Sequence, residues 1–318
     1  MWWIRRRGTE TTNQPYDTMS IDLHGVIAPV VTPFDERTGE VVGEAFGANV
    51  RAHLEEGLAG VLVAGSTGEA ALLDEDERRE LIELARAQVP SDRLLLVGAG
   101  AESTRATIAR ARDAAERGAD AVLLVAPHYY GPAMTDAALS AHYRRVADES
   151  AVPVMLYNIP KYTHFALAPA LVRELARHEN IVGMKDSSGD VDLLRQYVSL
   201  RSESFTVLTG HAGTLHAALE MGAGGAILAA SLFAASLALE VSEAFATGDS
   251  ARAASVQERL ALLNKEIVGT LGVPGIKAAL DLIGLHGGEP RAPLLALTES
   301  QREHVATLVR AAGAVRAA

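Results

Sequence analysis

The sequence predicts an α/β fold, a (β/α)₈ TIM barrel with a C-terminal helical extension, on three observations. First, three segments repeat one unit: Glu56-Gly57-Leu58-Ala59-Gly60-Val61-Leu62-Val63-Ala64, Arg117-Gly118-Ala119-Asp120-Ala121-Val122-Leu123-Leu124-Val125 and Met221-Gly222-Ala223-Gly224-Gly225-Ala226-Ile227-Leu228-Ala229. In each, a helix ends at a glycine that supplies the left-handed closing residue, and a strand follows after a tight turn. The strand is apolar without interruption, as a parallel sheet buried on both faces requires. Second, strand starts recur roughly every 20–35 residues, the spacing of a βαβ unit. Third, no GxGxxG follows the first strand, so eight such units favour a closed barrel over an open doubly wound sheet.

Reading outward from the repeats places strands near 26–31, 61–64, 94–98, 121–126, 153–157, 181–185, 205–209 and 225–229. Val42, Phe46, Val50 and Leu54 recur at i, i+4 and form one helical stripe after the first strand. Asp74, with Glu77 three residues on, opens the next helix as a capping box in which Asp replaces Ser or Thr. From about 248 the pattern is wholly helical, interrupted at Pro274 and at Gly287-Gly288-Glu289-Pro290. The expected organisation is therefore a catalytic barrel over 21–247 and a helical extension over 248–318. Residues 1–20 are expected to be a disordered tail or an over-called start, with Met19 the real beginning. Arg5, Arg6 and Arg7 follow only Met1-Trp2-Trp3-Ile4, too short an apolar stretch for a secretory signal.

The 318 residues carry a net charge of −11 and no long basic run, which argues against nucleic acid or an anionic membrane as partner. No apolar run approaches the ~18 residues of a membrane span. Cysteine is absent, which removes disulfides, thiolate nucleophiles and thiolate metal sites; the cytoplasm is the expected compartment. Of 29 Lys and Arg residues only Lys161, Lys185, Lys265 and Lys277 are lysines. Arginine cannot shed its proton at working pH, so a chemistry needing a primary amine has four candidates.

In such barrels the polar residues just past the C-terminal ends of the strands face the site. Lys185 ends the apolar strand Ile181-Val182-Gly183-Met184-Lys185, where burial would favour the free amine that attacks a ketone. The alternative is a strand-end lysine reaching for solvent. Tyr157 ends the preceding strand and is placed to pass protons beside that amine, or else caps the core. Gly65-Ser66-Thr67-Gly68-Glu69 follows the second strand; its hydroxyls and amides suit a carboxylate, though an ordinary βα turn reads the same way. Pro127-His128-Tyr129-Tyr130-Gly131-Pro132 is an aromatic cluster after the fourth strand, and either tyrosine also reads as structural. Lys161, after Pro160, suits charge recognition, whereas Lys265 and Lys277 read as solvated surface of the extension. The ten histidines are scattered, with no HExxH and with His211 and His216 five apart, so no metal site is expected.

Taken in order on strands two, four, five and six, these motifs together with Gly183-Met184-Lys185-Asp186 resemble the dihydrodipicolinate synthase / N-acetylneuraminate lyase family of class I aldolases, from about residue 21 to 297. The resemblance implies pyruvate held as a Schiff base on Lys185, a proton relay through Tyr157, and a carboxylate grip at Ser66 and Thr67, with Thr67 also in the relay. It implies that Tyr129 crosses a dimer interface to complete the relay, that the backbone at Gly210 and Ile227 lines the pocket, and that Ser187 lines its acceptor side. It further implies a small-molecule 2-oxo acid substrate, no metal or organic cofactor, and a homotetramer built as a dimer of dimers.

One departure bears on the acceptor. Dihydrodipicolinate synthases carry an arginine at the position held here by Tyr162, and Lys161 could replace its bidentate fork only as a point charge. Asn180-Ile181-Val182-Gly183-Met184-Lys185-Asp186-Ser187-Ser188-Gly189-Asp190, Gly272-Val273-Pro274-Gly275-Ile276-Lys277 and Arg291-Ala292-Pro293-Leu294 look most like 4-hydroxy-2-oxoglutarate aldolases. The leading expectation is thus cleavage of a 4-hydroxy-2-oxo acid to pyruvate and an aldehyde. Condensation of pyruvate with aspartate semialdehyde is the alternative, and a non-catalytic 2-oxo-acid-binding barrel is a third reading.

Overall fold

The computed structural model describes residues 21–313, so the expectations for residues 1–20 lie outside the described residues. Eight parallel strands, β1 (Gly25–Pro29), β2 (Gly60–Val63), β3 (Leu94–Gly98), β4 (Ala121–Val125), β5 (Val154–Asn158), β6 (Ile181–Asp186), β7 (Thr206–Thr209) and β8 (Gly225–Ile227), pair in sequence order. β8 pairs with β1 through Gly225 with Gly25 and Ile227 with Ile27, which closes the barrel. All eight strands overlap the segments the sequence predicts. The repeated glycines Gly57, Gly118 and Gly222 have φ of 95°, 85° and 93°, the left-handed closures their motif requires.

Helices α1 (Gly43–Glu55), α2 (Glu75–Arg86), α3 (Thr104–Glu116) and α4 (Asp136–Glu149) follow the first four strands. They are succeeded by α5 (Pro160–Thr163), α6 (Pro169–Leu175), α7 (Val191–Val198), α8 (Leu215–Met221) and α9 (Ser231–Ala246). The Asp74 capping box is present with both reciprocal bonds, and Ser103 and Thr135 cap α3 and α4 with their hydroxyls. Beyond the barrel lie α10 (Ser250–Leu263), a π-helix (Asn264–Leu271), α11 (Gly272–Leu282) and α12 (Glu299–Ala311). Pro274 interrupts nothing: it sits in the first turn of α11, where its missing N–H costs no helical bond. The break comes earlier, at the left-handed Gly272 (φ 63°) that ends the π-helix.

Alternation along the strands sorts the core in two. Ile27, Leu62, Leu96, Leu123, Met155, Leu208 and Ile227 point into the barrel, while Val26, Val61, Val97, Leu124, Leu156, Met184 and Val207 pack outward against the helices. Each such side chain contributes roughly 1.5–3 kcal/mol by leaving water. Parity carries function as well as stability. With Met155 inward and Leu156 outward, Tyr157 must point in; with Met184 outward, so must Lys185.

Outside the barrel interior, α4 buries His142, whose Nδ1 lies 2.9 Å from the Thr104 hydroxyl. Burial pulls this imidazole from its ordinary 6.5 down to about 4. An unfolded chain protonates that ring below 6.5 and the folded one does not, so the linked stability is whole above pH 6.5 and is lost as pH falls towards 4. We expect a decline of up to about 3 kcal/mol across that window, read from unfolding midpoints against pH. His142→Gln should flatten that part of the profile.

Candidate active site

The β5–β6 register sets Tyr157 directly beside Lys185. The lysine is 5% and the tyrosine 6% exposed, and the Lys185 Nζ lies 4.5 Å from the centre of the Tyr157 ring. Lys185 has no hydrogen bond or ion pair to any described residue. A dry amine facing a phenol, with no carboxylate attached to it, is an arrangement for nucleophilic attack on a carbonyl rather than for structural charge pairing.

The next residue on each strand faces outward and locks that register. Asn158 donates to Asp186 Oδ1 at 2.7 Å and accepts the Leu167 amide at 2.9 Å. Ser188 donates its hydroxyl to Asp186 at 2.8 Å, and the Gly210 amide donates to the Asp186 carbonyl at 2.6 Å. Burial raises the Asp186 carboxyl above its usual range, opposed by the hydrogen bonds from Asn158 and Ser188. A one-residue slip between the strands would break the Asn158–Asp186 bond and turn the amine out of the barrel.

Gly210 is where the backbone of β7's exit touches the lysine. A Cβ there would stand 2.0 Å from the Ser187 hydroxyl and 2.5 Å from Lys185 Cε. Gly210 and Ser187 thus share the lysine's surroundings, and Ile227 closes the interior at the tip of β8 with no exposure. Gly210→Ala should push the amine aside. We expect kcat to fall about 10–100-fold, since a shift of about 1 Å in a reacting group costs that much, with stability lowered by about 1–3 kcal/mol. Steady-state kinetics beside denaturant unfolding checks both.

After β2 the chain turns at Ala64, a non-glycine residue at φ 51°, into the 65–69 loop. Gly68 and Ala70 donate to the Gly65 carbonyl, and Thr32 donates to the Gly68 carbonyl at 2.8 Å. Ser66 and Thr67 are half-buried, and their amides find no acceptor among the described residues. Two unused N–H groups and two hydroxyls on one tight turn form a cradle suited to an anion.

Other expected residues lie elsewhere. Tyr129 is 78% and Tyr130 68% exposed in the single chain, edge to face at 5.0 Å, and Glu102 accepts the Tyr129 amide. Lys161 donates to the Gly269 carbonyl of the π-helix at 3.0 Å, so its ammonium is engaged by the extension. Tyr162 is 42% exposed, and partial burial and then the neighbouring Tyr157 phenol push its own phenol above the usual range. In the sequence Tyr162 stands out only as a missing arginine. Its position one turn beyond β5 was the available signal.

Lys265 is solvent-exposed beside Glu266, as expected. Lys277 is not. Its side chain is fully buried and its ammonium donates to Glu69 at 2.6 Å, so the surface reading of Lys277 is wrong. The tertiary partner, 208 residues away, decides the matter. Among the described residues no cluster of three His, Asp or Glu side chains could hold a metal ion. No described helix is long and apolar enough to cross a membrane.

Residues 22–312 match the model of the Dihydrodipicolinate synthetase family. The chain belongs to that family. A 4-hydroxy-tetrahydrodipicolinate synthase of Thermodesulfovibrio yellowstonii is 33% identical over 293 residues, covering 92% of this chain and 99% of the relative. One from Archaeoglobus fulgidus is 35% identical, covering 91% and 98%. Among solved structures, an E. coli K12 prophage protein of the dihydrodipicolinic acid synthase family, in complex with pyruvate, superposes with a TM-score of 0.86. It is 31% identical, covering 92% of this chain and 99% of that one. Family membership makes the chain a carbon–carbon lyase of the class I aldolase type, working through a lysine Schiff base without an external cofactor.

Proposed function

We propose that the chain holds pyruvate as an imine on Lys185 and exchanges the derived enamine with an aldehyde. The observation that carries this is the dry Lys185 amine, 4.5 Å from the Tyr157 ring on the adjacent strand. The amine adds to the C2 ketone, water leaves, and the resulting iminium draws electrons from C3. Loss of a C3 proton, or cleavage of a C3–C4 bond, gives the same enamine. Tyr157 moves protons between carbinolamine, imine and acceptor oxygen, with the Thr67 hydroxyl and a partner subunit's copy of the Tyr129 phenol completing the relay. Ser66 and Thr67 hold the pyruvate carboxylate, while Ser187, Gly210 and Ile227 line the remainder of the pocket. Two adjacent exposed tyrosines above β4 support assembly with a second copy, and a homotetramer belongs to the same reading.

For the aldehyde, the relatives' shared name supports condensation with aspartate semialdehyde, the alternative of the sequence reading and not its leading expectation. One observation favours the leading expectation, cleavage of 4-hydroxy-2-oxoglutarate. Tyr162 offers a phenol instead of a guanidinium and Lys161 is turned onto Gly269, so neither residue presents a bidentate fork to a second carboxylate.

A substrate panel on purified protein separates the two. Turnover of pyruvate with aspartate semialdehyde, and no pyruvate release from 4-hydroxy-2-oxo acids, establishes the synthase reading; the opposite pattern establishes the aldolase. Turnover of neither, with no adduct after borohydride reduction in the presence of pyruvate, would leave a binding barrel.

A further inference from the structure

Two of the three non-glycine residues with positive φ among the described residues bracket the 65–69 loop: Ala64 at 51° and Glu69 at 59°. A residue with a Cβ stays in that region only where its surroundings over-determine it. At the far end of the loop the determinant is the Glu69 carboxylate, which is fully buried. One oxygen accepts from Lys277 Nζ at 2.6 Å and the other from the Arg291 amide at 2.8 Å. Lys277 spends a second proton on the Glu289 carbonyl at 2.9 Å and lies 4.7 Å from the centre of the Phe34 ring. The Arg291 guanidinium packs over the same ring at 4.0 Å, donates to the Leu72 carbonyl at 2.9 Å, and meets both oxygens of Glu77 at 2.5 and 2.7 Å.

Every one of these grips on the loop and its exit comes from α11 or the segment after it. Two fixed donors aimed at the two oxygens of one carboxylate define both its position and its plane. That in turn fixes the peptide orientations immediately upstream, where the Ser66 and Thr67 amides stand free. Burial pushes the Lys277 ammonium below the usual lysine range and the Glu69 carboxylate beside it pulls back, as expected of an ion pair kept for its geometry.

We infer that Glu69 and Lys277 are positioning residues through which the C-terminal extension shapes the substrate-carboxylate cradle. The inference rests on the reading that the 65–69 loop grips the pyruvate carboxylate. Neither side chain touches a reacting atom; both act through the backbone of Ser66 and Thr67.

The test titrates pyruvate against borohydride trapping on wild type, Glu69→Gln, Lys277→Met and the double variant, with thermal unfolding of each. The singles bury one charge without its partner and should lose stability; the double buries none and should regain it. Half-saturating pyruvate should rise at least tenfold in all three, with complete labelling still reached at saturation. A double variant whose half-saturation returns to the wild-type value together with its midpoint would show the pair to be structural only. So would singles that bind pyruvate like wild type. Ser66→Ala with Thr67→Pro, which removes both hydroxyls and one of the two free amides, is the separate arm. An unchanged half-saturation there removes the loop from carboxylate binding, and takes this inference with it whatever the Glu69 variants do.

Discussion

Lys185→Ala is expected to leave no pyruvate adduct after borohydride reduction and to lower turnover by roughly three orders of magnitude or more, because no other group can take over the covalent step. The three remaining lysines fix the expectation. Lys277 is buried and committed to Glu69, Lys161 donates to Gly269, and Lys265 is out in solvent beside Glu266. The fold should survive, since trimming the side chain leaves the Asn158–Asp186 lock on the strand's other face intact. Intact mass with and without pyruvate, beside circular dichroism, reads both halves. An adduct that persisted in the variant would move the nucleophile to another amine, and the site at the β5–β6 tips would no longer be the reaction centre.

Lys277→Met should be the most damaging substitution for stability. It strands the Glu69 carboxylate in the interior with one amide donor in place of an ammonium, and breaking a buried pair from one side typically costs about 3–5 kcal/mol. Denaturant unfolding measures the loss. Glu69→Gln added to Lys277→Met should restore most of it, because a neutral pair carries no desolvated charge. A loss below about 1 kcal/mol in the single variant would mean that the carboxylate finds water or a proton without difficulty.

The barrel was legible because physics leaves few ways to write it. Strands covered on both faces must be apolar throughout, and helices that stop short of such strands end on glycine, so Gly57, Gly118 and Gly222 announce three units outright. Lys185 and Tyr157 were legible for the same reason: a polar residue closing an apolar strand has one open end of the barrel to face. The charge of Lys277 points to the surface, and its neighbours point to the core. Val273, Ile276 and Leu280 place it within the buried stripe of α11, and that periodicity was the signal to follow. The acceptors of Lys161 and Arg291 include backbone carbonyls at Gly269 and Leu72, and a carbonyl carries no signature in a sequence. Tyr129 is marked by its motif, and in the single chain it stands exposed.

The bond from Arg291 to Glu69 spans 222 positions, and the one from Lys277 spans 208. During synthesis Lys185 and the 65–69 loop therefore leave the ribosome well before the residues that pin that loop. A nascent chain halted after β8 closes the barrel but before α11 emerges would hold Lys185 without Lys277 or Arg291 to pin the 65–69 loop. Only the nearly finished polypeptide holds Lys185 and the pinned loop in one fold, so the last part of translation completes this end of the barrel.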